Sequence, residues 1–202
     1  MKGSANGEEG DQGKFEWAKL QTRNGYNLQE VISGFQKYVR RGMEREALYF
    51  GSEVDLSGYG EYLWKRIRVI ASEDIGIADP IVASAIQMMY QTFKQLKEKA
   101  THYSHPDRVV TMNAILMLVR AKKSRMTDHA NWVFYRMDRK DPKNRIELAD
   151  FCIDKHTKAG KEKGRGFEHF FEEGCKLVNC DLPDPYEEEG KSAIRKAESE
   201  KK

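Results

Sequence analysis

Ile67-Arg68-Val69-Ile70-Ala71-Ser72-Glu73-Asp74-Ile75-Gly76-Ile77-Ala78-Asp79-Pro80 is the stretch on which the fold turns. Its first half ends an amphipathic helix expected over residues 59–72. There Leu63, Trp64, Ile67, Ile70 and Ala71 keep helical spacing, and Lys65 and Arg68 fall on the opposite side. Gly76 then allows a tight turn, because glycine enters positive φ without steric penalty. Asp79 followed by Pro80 is the N-cap and first-turn pair that opens a new helix. A helix, a corner and a second helix leave no room for a strand.

Both flanks read the same way. Asn27 with Glu30 resembles a capping box, and Leu28, Val31, Ile32, Phe35 and Val39 follow at the 3.6 period. Arg40 and Arg41 sit where cations favour a helix C-terminus, and Gly42 supplies the stop. A short second helix bears Met43, Ala47, Leu48 and Phe50. After Pro80, Ile81, Ala85, Met89 and Phe93 recur at i, i+4 and predict a buried stripe. His105-Pro106-Asp107 opens another helix, whose run 112–119 has only Asn113 polar and is expected at the centre. Asp128 is expected to cap a helix bearing Trp132, Phe134 and Tyr135, read as core rather than as a base-stacking platform, and Asp141-Pro142 breaks it. No segment alternates with period two. The expectation is an all-α bundle of about six to eight helices.

At 202 residues the chain has room for one large domain. We expect a flexible leader over 1–14, a single helical domain over 15–183 and a charged tail over 184–202. A hydrophobic fraction of 39% is enough for a sizeable core and argues against wholesale disorder. No stretch approaches the roughly 18 apolar residues needed to span a bilayer, and no signal-peptide core precedes the domain. Nor is there a basic amphipathic stripe with lipid-facing aromatics, so membrane attachment is set aside and a cytoplasmic chain is expected. The net charge is only +3, so any attraction to nucleic acid must come from local clustering. Cys152, Cys175 and Cys180 are an odd count without a secretory signal, which reads as reduced, buried thiols rather than a disulfide framework.

No G-x-x-x-x-G-K-[ST], G-x-G-x-x-G, G-x-S-x-G or H-E-x-x-H occurs. Catalytic residues, cofactors and resident metals are accordingly not expected, nor is nucleotide hydrolysis by this chain. Glu73 and Asp74 are adjacent carboxylates, but neighbours on a helix diverge by about 100°, which favours capping and ion pairing over metal or acid–base work. Cys152 and His156 stand one helical turn apart, as a zinc pair does, yet no C-x-x-C knuckle accompanies them. His102, His105 and His129 fall at helix boundaries, where capping or exposure is expected.

One segment suits an anion. Between 155 and 165, Lys155, Lys158, Lys161, Lys163 and Arg165 face one acid, with His156 beside them and Gly160, Gly164 and Gly166 allowing close backbone approach. Such a loop either cradles phosphates, with Arg165 forking onto one, or is a solvated basic linker. Lys122, Lys123 and Arg125 join Arg120 in a second cationic cluster, which either extends that surface or decorates a helix C-terminus for dipole reasons.

The chain also resembles a family. Residues 68–80 are similar to the helix-turn-helix junction in the C-terminal region of the replication-associated recombination protein A family, AAA+ ATPases with Werner helicase-interacting eukaryotic relatives and a clamp-loader ancestry. The likeness is sharpest at 71–80, where Ser72, Glu73, Asp74, Gly76, Ala78, Asp79 and Pro80 form the family-like motif. Gly25-Tyr26 through Arg40-Arg41-Gly42, and Arg45-Glu46-Ala47-Leu48-Tyr49, are similar to its first collar helices. Lys123-Ser124 resembles its Pro-Lys-Ser corner, with Lys122 in the place of the proline. The resemblance covers about 22–140, while the extension over 150–180 departs from the family, and the ATPase module has no counterpart here. What it implies is a collar-like oligomerisation domain, tetrameric in the family. The expected role is a non-enzymatic module of DNA replication, recombination or repair, with an AAA+ ATPase and DNA as partners. The alternative is a small enzyme or ligand-binding protein that handles phosphorylated compounds through His156 and Arg165.

Overall fold

The computed structural model describes residues 19–101 and 103–200. The leader expected over 1–14 and His102 lie outside the described residues. The chain divides into two compact units, one up to residue 137 and one from 138 onward. The first contains α1 (Leu28–Arg40), α2 (Glu44–Val54), α3 (Gly60–Ile70), α4 (Pro80–Lys97), α5 (Pro106–Arg120) and α6 (Met126–Arg136). The second contains α7 (Lys158–Glu162), a helical turn at Phe167–His169 and α8 (Glu187–Ser199). Among the described residues there is no strand, only two isolated bridges, Gln21 to Asn27 and Thr101 to Ser104. The all-α bundle expected from the sequence is therefore the fold. No helix among the described residues is long and apolar enough to cross a membrane.

The expected start and stop signals act at α1. The Asn27 side chain accepts from the Gln29 and Glu30 amides at 3.0 and 3.2 Å, and Gly42 ends the segment at φ +70°. Helix α5 is central, packed against α1, α2, α3 and α4, with Thr111, Ala114, Ile115 and Leu118 fully buried. At Gly51 of α2 a Cβ would come 2.5 Å from Ile115 Cδ1, so only glycine lets these two helices approach so closely. Trp64 is wholly buried in α3. Its indole N–H donates to Thr111 Oγ1 at 3.2 Å, which satisfies the one polar atom the ring brings inside.

Two expectations are corrected. The inward stripe of α4 is Val82, Ile86 and Phe93, not Ile81 and Ala85; Ile81 is 76% exposed. Adjacent Ile81 and Val82 leave the phase of the stripe ambiguous by one residue, and docking on α5 selects the second. Helix α6 is the larger departure. It starts at Met126, so Asp128 lies inside its first turn and pairs with Arg125 instead of capping. The Ser124 hydroxyl accepts from the Met126 amide at 3.2 Å and takes the terminal role. Nothing in α6 is buried: Trp132, Phe134 and Tyr135 are 49%, 52% and 83% exposed rather than core. Four consecutive large apolar residues, 132–135, surround the helix instead of forming one inward stripe.

Among the described residues the buried hydrophobic ones run from Leu28 to Val119, and none lies in the second unit. That unit is held by ring contacts and surface ion pairs. Phe167 stacks on Phe171 at 5.8 Å, and Arg195 of α8, within the expected charged tail, pairs with Glu168 at 2.6 Å.

Candidate functional site

The corner after α3 is where helices meet. Past Ile70 the chain widens through Ala71–Ile75, makes one tight turn at Gly76–Ala78 and enters α4 at Pro80. Gly76 has φ +49°, as a turn glycine should, and a Cβ there would lie 2.5 Å from Thr127 Oγ1 of α6. Asp79 stands at the N-cap position, but its side chain makes no capping bond; its carbonyl accepts from the Val82 amide at 3.1 Å.

Asp74 is 1% exposed, and its charge is met from α1. Its Oδ1 accepts from Arg40 Nε at 2.6 Å and its Oδ2 from the Gln36 amide at 2.8 Å. The same guanidinium reaches Glu73 through Nη2 at 2.7 Å. Adjacent carboxylates thus converge on one planar fork, because the widened turn brings both to the Arg40 side. Gln36 adds a donor bond to Glu73 at 3.1 Å and accepts from Arg66 at 3.2 Å. The Asp74 carbonyl accepts from the Ser124 amide at 3.0 Å, which fastens the chain entering α6.

The cations of 122–125 are mostly spent on this framework. Lys123 Nζ donates to the Val119 and Ala121 carbonyls at 2.7 and 3.0 Å, at the C-terminal end of α5. Burial lowers its pKa, against the pull of Asp74. Arg125 is held charged chiefly by Asp128, and it lies 3.6 Å from Glu73. Lys122 is exposed.

Helices α3 and α6 diverge from the corner and leave a groove of roughly 740 Å³. One wall is Lys65, Arg68 and Val69 of α3 with Ser72 of the turn that follows, and the other is the α6 face that includes Ala130, Phe134 and Tyr135.

In the second unit the basic loop is built around its own acids. Thr157 caps α7 by accepting from the Gly160 amide at 3.0 Å. His156 Nδ1 lies 2.7 Å from Asp154 Oδ2, and that bond holds the Asp154 carboxyl below the usual range. Arg165 donates to the Asp150 carbonyl at 2.9 Å and also binds the Asp150 carboxylate and the Ile153 carbonyl. With Lys163 at 3.3 Å it pulls the Asp150 pKa down. Lys155 lies 3.4 Å over the Phe167 ring. Lys158 and Lys161 are exposed, and Lys158 Nζ lies 3.8 Å from Glu162 on the surface of α7. Cys152, Cys175 and Cys180 are exposed rather than buried, since this unit has no apolar core to take them. Among the described residues no group of three or more His, Cys, Asp or Glu is placed to hold a metal ion.

Sequence reasoning singled out Glu73, Asp74 and Gly76 but missed Gln36 and Arg40 as partners of the two carboxylates, and Arg66 as the donor to Gln36. Gln36 and Arg40 are one turn apart on α1, a visible spacing; the residues they bind lie more than thirty positions downstream.

No family model matches the chain. Replication-associated recombination protein A of Bacillus subtilis (strain 168) is 28% identical to it over 165 residues, which cover 77% of this chain and 36% of that protein. The chain thus spans little more than a third of that relative's length. This distant, partial likeness supports a relationship to the replication-associated recombination protein A family.

Proposed function

We propose that this chain is a non-enzymatic helical module of DNA replication, recombination or repair that self-associates and works beside an AAA+ ATPase. The observation behind the reading is a set of exposed apolar residues on α4 and α5. Ile81, Met88 and Val109 are 76%, 71% and 72% exposed. Ile81 and Met88 are two turns apart on one face of α4, and Leu116 and Met117 border Ile81 across a depression of roughly 500 Å³. Exposed apolar residues grouped in this way favour a covered face over a solvated one. The collar resemblance and the likeness to a replication-associated recombination protein lend support. Light scattering at micromolar concentration should return a multiple of 23.4 kDa, a tetramer by the resemblance. Ile81→Asp combined with Val109→Asp should give a monomer with unchanged helicity. A wild-type monomer would overturn the reading.

DNA contact is the second part of the proposal, supported by the exposed Lys158 and Lys161. Each neutralised phosphate releases condensed counterions, so Lys158→Ala with Lys161→Ala should flatten the salt dependence of DNA binding by about two logarithmic units per unit. Lys163 and Arg165 are left intact because they hold Asp150. Equal slopes would remove this loop from any DNA interface. The alternative, phosphorylated compounds bound through His156 and Arg165, must contend with an Arg165 fork already engaged by Asp150 and the Ile153 carbonyl.

A further inference from the structure

The groove between α3 and α6 shares no lining residue with the α4–α5 depression. We infer that it is a docking site for an acidic, amphipathic helix of a partner protein. Its two walls are built on helix faces. Lys65, Arg68 and Val69 stand at i, i+3 and i+4 on α3, with Ser72 in the widened turn just beyond it, and Thr127, Ala130, Asn131 and Phe134 stand at i, i+3, i+4 and i+7 on α6. A third helix laid between them would pack ridges against both, which is the helix-in-groove mode of recognition. Sheet augmentation is unsuited, since no strand edge exists among the described residues.

The lining is apolar where a side chain would anchor. Val69, Phe134 and Tyr135 are 39%, 52% and 83% exposed, and α6 buries no residue of its own. The groove is also preset, because the Arg40–Asp74 network, the Ser124–Asp74 bond and the Gly76–Thr127 contact hold the start of α6 against the corner. A preset groove spares its occupant the ordering cost of building one.

Charge decides the partner's sign. At the corner end Arg40 and Arg125 face three acids, Glu73, Asp74 and Asp128, so one negative charge is left over there. Lys65 and Arg68 are not ion-paired among the described residues; the Arg68 guanidinium lies 4.2 Å over the Tyr90 ring. With Lys65 and Arg68 the balance around the groove is positive by one charge, and the cations that tip it sit on the α3 wall. An occupant with acids facing α3 and aliphatic residues facing α6 matches it.

The test is fluorescence anisotropy with the full chain and a labelled helical peptide of about 18 residues, five turns, with Leu at heptad a and d positions and Glu elsewhere. A Lys-for-Glu counterpart and an oligo-dT of similar length serve as controls. The Glu peptide should bind at least about tenfold more tightly than the Lys peptide, and Lys65→Glu and Tyr135→Asp should each weaken it about tenfold. Both residues are exposed, so the variants should keep the wild-type melting curve, which is checked alongside. The Ile81→Asp, Val109→Asp variant should still bind, which separates this site from self-association. Equal binding of the two peptides, or wild-type affinity in both groove variants, would overturn the inference. So would oligo-dT binding that is lost in Tyr135→Asp while the Glu peptide fails to bind, which would make α6 a base-stacking platform instead.

Discussion

Arg40→Met should lower the stability of the helical unit by about 3–5 kcal/mol, the largest effect expected of any single substitution at the corner. The loss is not the worth of one ion pair. It is the penalty for leaving the Asp74 carboxylate, 1% exposed, with the Gln36 amide as its one remaining side-chain hydrogen-bond donor among the described residues. Thermal denaturation should show a fall on the order of 10–20 °C. Arg120→Met is the control. Arg120 meets Glu44 at 2.7 Å, the same chemistry, but with side chains 68% and 37% exposed, so water and salt already screen the pair and little should change. Arg40→Met and Arg120→Met melting alike would show that burial of Asp74 does not govern the corner.

Gly76→Val should cost about 1–3 kcal/mol from backbone strain alone. The residue holds φ +49°, which a β-branched side chain resists most strongly. Its Cβ would in addition press on Thr127 Oγ1, at 2.5 Å. The two contributions can be separated, because Thr127→Ala removes the atom it meets and leaves the dihedral penalty. Gly76→Val with Thr127→Ala should recover part of the loss, and Gly76→Val alone should loosen α6 first, since Thr127 belongs to it. A melting temperature untouched by Gly76→Val would mean that the backbone there relaxes freely.

How much of this was legible beforehand depended on sequence distance. Asn27, Gly42 and Pro80 act within a few residues of themselves, and the elements they begin or end are where the spacing puts them. The corner glycine was equally readable, because a turn states its own requirement. The partners of Asp74 were not: Arg40 sits at a helix end where any cation is welcome, so its spacing carries no sign of a carboxylate across the fold. Helix α6 misled for a different reason. Trp132, Phe134 and Tyr135 look like core in composition, but composition cannot say on which side of a helix its own chain will lie. The basic run 155–165 was legible as charge and not as structure, since Asp150 and Asp154, just outside it, take up much of what it offers.

The confinement of buried hydrophobic residues, among those described, to the stretch from Leu28 to Val119 has a calorimetric meaning. The heat-capacity increment of unfolding follows newly hydrated apolar surface, so it counts residues that bury something rather than residues that exist. A uniformly packed chain of this length would show about 2.4–3.0 kcal/mol/K, whereas a core spanning 28–119 supports about 1.1–1.4 kcal/mol/K. The stability curve of the isolated chain is correspondingly shallow, with a weak dependence of unfolding enthalpy on temperature. To heat, this is a protein of about half its nominal size.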